Sequence, residues 1–182
     1  MLKKILLGLL ILVLILAGWL AYTFLTTKNH SPVAVASYSD STLSIKVDYC
    51  QPFKKGRLIF GTEENEALQP YGSYWRIGAN EATQITFSSD IIFCGEPLEA
   101  GAYWLYAFPG EEFWEIGLNS ELGKWGAFPP EPENDVLRVK VKSEQLTPIS
   151  EQLTIDFRNK GKMIYLQIKW DNVMVPIPIL KN

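Results

Sequence analysis

From Ile5 to Leu25 the chain carries no charged residue and almost nothing but large apolar side chains. A helix rising 1.5 Å per residue needs about 20 such residues to cross the hydrocarbon core of a bilayer. Each Leu, Ile, Val or Phe favours insertion by roughly 0.3 to 0.6 kcal/mol at the helix centre, so the sum reaches several kcal/mol. Lys3 and Lys4 precede the run, and basic residues stay on the cytoplasmic side. Residues 1–4 are therefore expected in the cytoplasm, 5–25 as a single-pass transmembrane anchor, and the remainder across the membrane, on the periplasmic side in a Gram-negative cell. Trp19 and Tyr22 suit the outer interface. A cleaved signal peptide requires small residues at −1 and −3 of the cut. Cutting after Ala21 places Trp19 at −3 and cutting after Ala17 places Ile15 there, so the run reads as a retained anchor.

Beyond the anchor, residues 26–39 read as a short polar linker holding Pro32, and 40–182 as one exported domain large enough for its own core. Two of the 17 basic residues precede the anchor, leaving 15 against 20 acidic ones. That balance excludes nucleic acid, which needs a concentrated basic patch to displace counterions, and it also disfavours acidic partners in general.

Hydrophobicity in the exported part alternates with a period of two. Leu43, Ile45, Val47 and Tyr49 alternate with polar residues, as do Ile85 and Phe87, then Leu137, Val139 and Val141, then Leu153, Ile155 and Phe157, then Ile164, Leu166, Ile168 and Trp170. Turn residues separate them at Gly95–Pro97, Pro109–Gly110, Pro129–Asn134 and Asn159–Gly161. At most one short helical turn is expected, at Glu63–Leu68. Eight to ten short strands imply an all-β domain, an antiparallel sandwich or jelly-roll-like barrel. Pro176 and Pro178 remove two amide donors from the last strand, which is therefore expected at an edge.

The most distinctive stretch is WRIGANEAT at Trp75–Thr83, preceded by KGRLIFG at Lys55–Gly61. With SPVAVAS at Ser31–Ser37, AGAYWLYAFPG at Ala100–Gly110, WGAF at Trp125–Phe128 and DVLRVKV at Asp135–Val141, it resembles the bacterial family catalogued as domain of unknown function 2911. The resemblance covers almost the whole exported domain. It implies a secreted or membrane-tethered all-β domain and brings no activity with it. The chain departs from the family pattern where an arginine usually precedes the proline: here Gln51 precedes Pro52, and any anion site built on that guanidinium is in doubt. Cys50 and Cys94 stand where the family more often has other small residues. Their joint appearance on the exported side makes a disulfide an expectation, with about 4 kcal/mol from loop closure in the chain-entropy model.

Chemistry is sparse. His30 is the only histidine and lies in the expected linker, so a Ser-His-Asp triad or a histidine-bearing zinc site in the domain would have to borrow it across that attachment. The spacing Gly56 to Gly61 mimics a phosphate loop, but Thr62 and Glu63 follow where Lys and Ser or Thr are required. The acidic turn Glu131–Asp135 lacks the spacing of a calcium loop. No metal and no cofactor is expected.

What remains is the GANEAT loop, where Gly78 permits unusual dihedrals and Asn80 tolerates the left-handed region. In one reading Arg76, Asn80, Glu81 and Thr83 converge on a small polar ligand, with Trp75, Tyr71 or Trp125 as an aromatic platform for a sugar face. In the other, Arg76 pairs with Glu81, Asn80 satisfies backbone groups, and the loop is a buried corner. Three functions follow: a membrane-anchored binding module for a saccharide or envelope fragment, a structural domain docking onto another envelope protein, and a carboxylate hydrolase with Glu81 as acid or base and Asp135 as its partner.

Overall fold

The computed structural model describes residues 2–181; Met1 and Asn182, the outermost residues of the expected cytoplasmic terminus and exported domain, lie outside the described residues. Helix α1 runs Leu2–His30, and its segment Lys3–Thr23 is long and apolar enough to cross a membrane, with a mean hydropathy of 2.7. None of that segment is buried against the rest of the protein. A core helix of a soluble protein would be covered, whereas Leu14 and Ile15 in mid-helix are fully presented to the surroundings.

Twelve strands follow: β1 Val33–Ser39, β2 Ser44–Cys50, β3 Phe60–Gly61, β4 Gln69–Pro70, β5 Gln84–Phe87, β6 Ile91–Phe93, β7 Glu96–Leu98, β8 Gly101–Phe108, β9 Phe113–Asn119, β10 Asp135–Lys142, β11 Glu144–Lys160 and β12 Met163–Lys181. Six form an antiparallel sheet in the order β1-β2-β5-β8-β9-β10, and four form a second in the order β11-β12-β6-β7. A short parallel pair, β3 with β4, stands apart. Alternate residues of both large sheets meet in one core: Ile45, Val47, Ile85, Leu105, Ile116 and Leu118 from the first, Ile91, Leu153, Leu166, Ile168 and Ile177 from the second. The domain is thus an all-β sandwich, and the period-two positions named from the sequence are those that point inward.

Several expectations need correction. Most of the expected linker is regular structure: residues 26–30 continue α1, and β1 pairs with β2 from Val33↔Cys50 to Ser39↔Ser44, leaving only Ser31 and Pro32 as the connection. Alternating Val, Ala and Ser give little hydrophobic contrast, which hides this strand in the sequence. The segment at Glu63–Leu68 is a hydrogen-bonded turn, Glu66 N–H to Glu63 O at 2.9 Å, and not a helix. Strand β12 is internal, between β11 and β6. Its prolines are tolerated because the ladder with β11 includes Val173 and Met174 and the ladder with β6 begins at Ile179, so Pro176 and Pro178 fall between the two sets of partners.

The expected disulfide does not form; both cysteines are free. Cys50 ends β2 in the first sheet, and its Sγ faces Glu81 Oε2 at 3.6 Å. Cys94 belongs to the second sheet, where Cys94 (φ 53°) and Gly95 (φ 92°) make the two-residue turn of the β6–β7 hairpin. Burial pushes the Cys94 thiol up to about 12, which leaves it unreactive at neutral pH.

Candidate functional site

The WRIGANEAT segment enters the sandwich at Trp75, whose backbone exchanges two hydrogen bonds with Ala107 of β8, each 2.8 Å. The next residues leave ordinary backbone geometry. Ile77 (φ 53°), Gly78 (φ 151°) and Asn80 (φ 61°) all have positive φ, and for a β-branched residue such as Ile77 that is a genuine outlier. Two anchors hold the strain. Thr83 Oγ1 donates to Ile77 O at 2.6 Å, and Thr83 O accepts from Leu105 N–H at 2.8 Å. Glycine is required at position 78, since a Cβ there would lie 2.9 Å from Cys50 O.

Thr83, expected among the ligand-binding residues, is fully buried, and its hydroxyl braces the backbone of the loop. Replacing it with Val should strand Ile77 O without a partner and cost about 1 to 3 kcal/mol, read as a lower melting temperature of the full chain in detergent micelles. A variant as stable as the wild type would show that the loop holds its shape without this bond.

Beside the loop lies a cleft of about 750 Å³, within the range of ligand sites. Arg76, Asn80 and Trp125 line it, together with Trp75 and Trp170 from the core and Lys55 and Arg57 from the loop after β2. Thr27 and His30, at the end of α1, complete one wall. The guanidinium of Arg76 donates to Asn80 O at 2.7 Å and to Trp125 O at 3.4 Å, which ties the loop to the segment carrying Trp125. Trp125 keeps 39% of its surface exposed, as a ring at a cleft wall must if a ligand is to stack on it.

The cleft is notable for what its buried groups lack. Trp75 and Trp170 stack with ring centroids 5.8 Å apart, 2% and 1% exposed, and neither indole N–H has a hydrogen-bond partner among the described residues. Asn80 is 7% exposed, and its Nδ2 has the Cys50 thiol beside it and no oxygen or nitrogen partner among the described residues. Such groups cost free energy when buried alone, and a native protein normally satisfies them with protein, water or ligand.

Other expected residues lie elsewhere. Tyr71 borders a separate depression with Leu58, Phe60 and Asp171. Glu81 faces a neighbouring hollow of about 460 Å³ shared with Cys50 and Lys28. It does not pair with Arg76; its carboxylate meets Lys28 Nζ of α1 at 2.5 Å. Burial raises the Glu81 pKa, but the hydrogen bond and charge of Lys28 outweigh it and leave the group below its ordinary value. That is the wrong direction for a general acid, which must hold its proton near neutral pH. Asp135, its expected partner, is occupied: Oδ1 accepts from Tyr106 Oη at 2.7 Å and Asn119 Nδ2 at 2.8 Å, and Oδ2 from Arg138 Nε at 2.7 Å. Asp135 is not among the residues lining the hollow that Glu81 faces. The Glu131 carbonyl likewise binds Asn119 Nδ2, at 2.9 Å, within a turn that closes the β9–β10 connection. Lys55 and Arg57 were not anticipated at the cleft: the spacing Gly56 to Gly61 was read only against a phosphate loop, which fails, and nothing local signals that they line the same cleft as the GANEAT loop.

A family model for a protein of unknown function, DUF2911, matches residues 31–179. The chain belongs to the DUF2911 family. The match begins one residue after α1 and ends within β12, so the DUF2911 domain is the whole sandwich. No curated protein and no solved structure matches the chain.

Proposed function

We propose that this DUF2911 protein is a membrane-anchored binding module that holds a small polar ligand, such as a saccharide or an envelope fragment, in the cleft beside the GANEAT loop. In this reading Lys3 and Lys4 remain cytoplasmic and the domain stands on the exported side, periplasmic in a Gram-negative cell. One observation carries it: of the four buried side-chain donors without a hydrogen-bond partner among the described residues, two, Trp75 Nε1 and Trp170 Nε1, belong to residues lining this cleft, and a third, Asn80 Nδ2, lies at its edge beside the Cys50 thiol. Arg76 holds the loop, and Trp125 supplies an exposed ring for an apolar sugar face.

A thermal-shift screen of the full chain in detergent micelles, against saccharides and cell-wall fragments, tests it. A ligand at about 100 times its dissociation constant stabilises by roughly 2.7 kcal/mol, a rise of about 5 to 10 °C for a chain of this length. Asn80→Gly keeps the left-handed backbone accessible while removing the amide, so it should fold and lose the shift. A blank screen, or a shift that Asn80→Gly retains in full, counts against the cleft.

A second reading is docking onto another envelope protein. It draws on Phe128, 81% exposed, beside Trp125 and Leu122 in the β9–β10 connection, an apolar group that a partner surface would cover.

A further inference from the structure

We infer that the ligand of this cleft is anionic, presenting a phosphate ester to Arg57, Arg76 and Lys55. The inference rests on the ligand-binding reading above and adds the chemistry of what is bound. Among the described residues, three cations line the cleft and no Asp or Glu does. The two guanidinium groups are fixed by carbonyl oxygens and not by carboxylates. Arg57 Nε donates to Lys54 O at 2.9 Å and its Nη2 to Phe53 O at 2.5 Å, while Arg76 Nη1 bonds Asn80 O and Trp125 O. Carbonyls orient a guanidinium without cancelling its charge. Among the described residues, neither arginine nor Lys55 enters an ion pair, whereas Lys54, one position away, is neutralised by Asp171.

A chain with a formal net charge of −3 therefore concentrates positive potential in one concave place. The overall balance, which argued against acidic partners, averages this cleft away.

Position narrows the source of the phosphate. The candidate span ends at Thr23, and Thr27 and His30 of the same helix form a wall of the cleft. At 1.5 Å per residue these lie roughly 6 and 10 Å beyond the span, within and just outside the lipid headgroup layer. The phosphate belongs either to a lipid headgroup or to a soluble phosphorylated saccharide.

The test is a tryptophan-fluorescence titration of the full chain in uncharged maltoside micelles with glucose, glucose phosphate and inorganic phosphate. Saturable binding of glucose phosphate is expected, about tenfold or more tighter than glucose, weakening as salt is added. Lys55→Gln, whose side-chain amine makes no structural bond, and Arg57→Gln should each weaken glucose phosphate several-fold more than they weaken glucose. Lys55→Gln keeps the test decisive if Arg57→Gln unfolds. Repeating the titration in nanodiscs separates the sources. Loss of the glucose phosphate response in phosphatidic acid discs, but not in phosphatidylcholine discs, supports a lipid headgroup; an equal response in both supports a soluble ester. Glucose binding as tightly as glucose phosphate, with both variants unaffected, overturns the inference and spares the ligand-binding reading. No response to any probe, together with a blank saccharide screen, overturns both.

Discussion

Replacing Lys54 by Met is expected to destabilise the protein by about 3 to 5 kcal/mol, lowering the melting temperature of the full chain in micelles by roughly 10 °C. Lys54 Nζ lies 2.5 Å from Asp171 Oδ2, and the two side chains are only 18% and 8% exposed. A buried pair of this kind gains little over an apolar pair, because desolvation offsets the attraction, but removing one partner leaves the other charge without compensation. Asp171 has little freedom to escape to solvent, since its backbone sits at φ 56° next to the buried Trp170 in the middle of β12. The double variant Lys54→Met with Asp171→Asn should therefore recover much of the loss. Equal melting temperatures for Lys54→Met and wild type would show that water reaches the pair and screens it.

Gly117→Ala is expected to cost about 3 kcal/mol, through overpacking on a residue that has nowhere to go. Gly117 of β9 stands opposite Tyr106 of β8, and a Cβ there would lie 2.1 Å from Tyr106 Cζ and 2.3 Å from its Cε1. Tyr106 is completely buried. Its hydroxyl donates to Asp135 Oδ1 at 2.7 Å, Arg138 stacks 5.6 Å from its ring centroid, and the Tyr74 and Phe108 rings lie 6.0 and 5.9 Å away. Moving the ring would break the same carboxylate network that holds Asn119 and Arg138. Equilibrium unfolding of the variant should show the loss. A change below about 1 kcal/mol would mean that the β8–β9 ladder shifts to admit the methyl group.

Those two sites illustrate what the sequence reveals and what it hides. Strong period-two contrast exposes β2, β5, β10, β11 and β12, because each buries one face and leaves polar residues on the other. Strand β8 reads Gly-Ala-Tyr-Trp-Leu-Tyr-Ala-Phe without alternation, because both of its faces are covered: Leu105 and Ala107 face the sandwich, while Trp104 and Tyr106 lie under Tyr74. The proline rule identified the missing donors of β12 correctly and misplaced the strand, since no single-residue preference tells an edge from a gap between two partners.

The site was legible in part for a similar reason. Gly78 and Asn80 announce an unusual backbone, and Arg76, Asn80 and Trp125 do line one cleft. Thr83 looked like an exposed polar residue of the loop, yet β5 begins at the next residue and pulls it inside. Glu81 next to Asn80 suggested an ion pair with Arg76, but the reversed backbone at Asn80 sends the carboxylate toward Lys28 and Cys50 instead. The unpartnered indole groups are invisible in sequence, since Trp75 and Trp170 are nearly a hundred residues apart and only the packing of the two sheets brings their rings together.

A ligand seated in the cleft must change the surroundings of Trp75 and Trp170, the two buried rings that line it. The most direct test follows the indole N–H resonances of the six tryptophans in the full chain, in micelles, during titration with glucose and with glucose phosphate. The expected result is that the Trp75 and Trp170 signals, assigned by Trp→Phe variants, shift together and saturate at one ligand concentration, while those of Trp19 and Trp114 stay in place. Signals of Trp75 and Trp170 that remain fixed with both sugars, or that move no more than that of Trp19 in the helix, would contradict it.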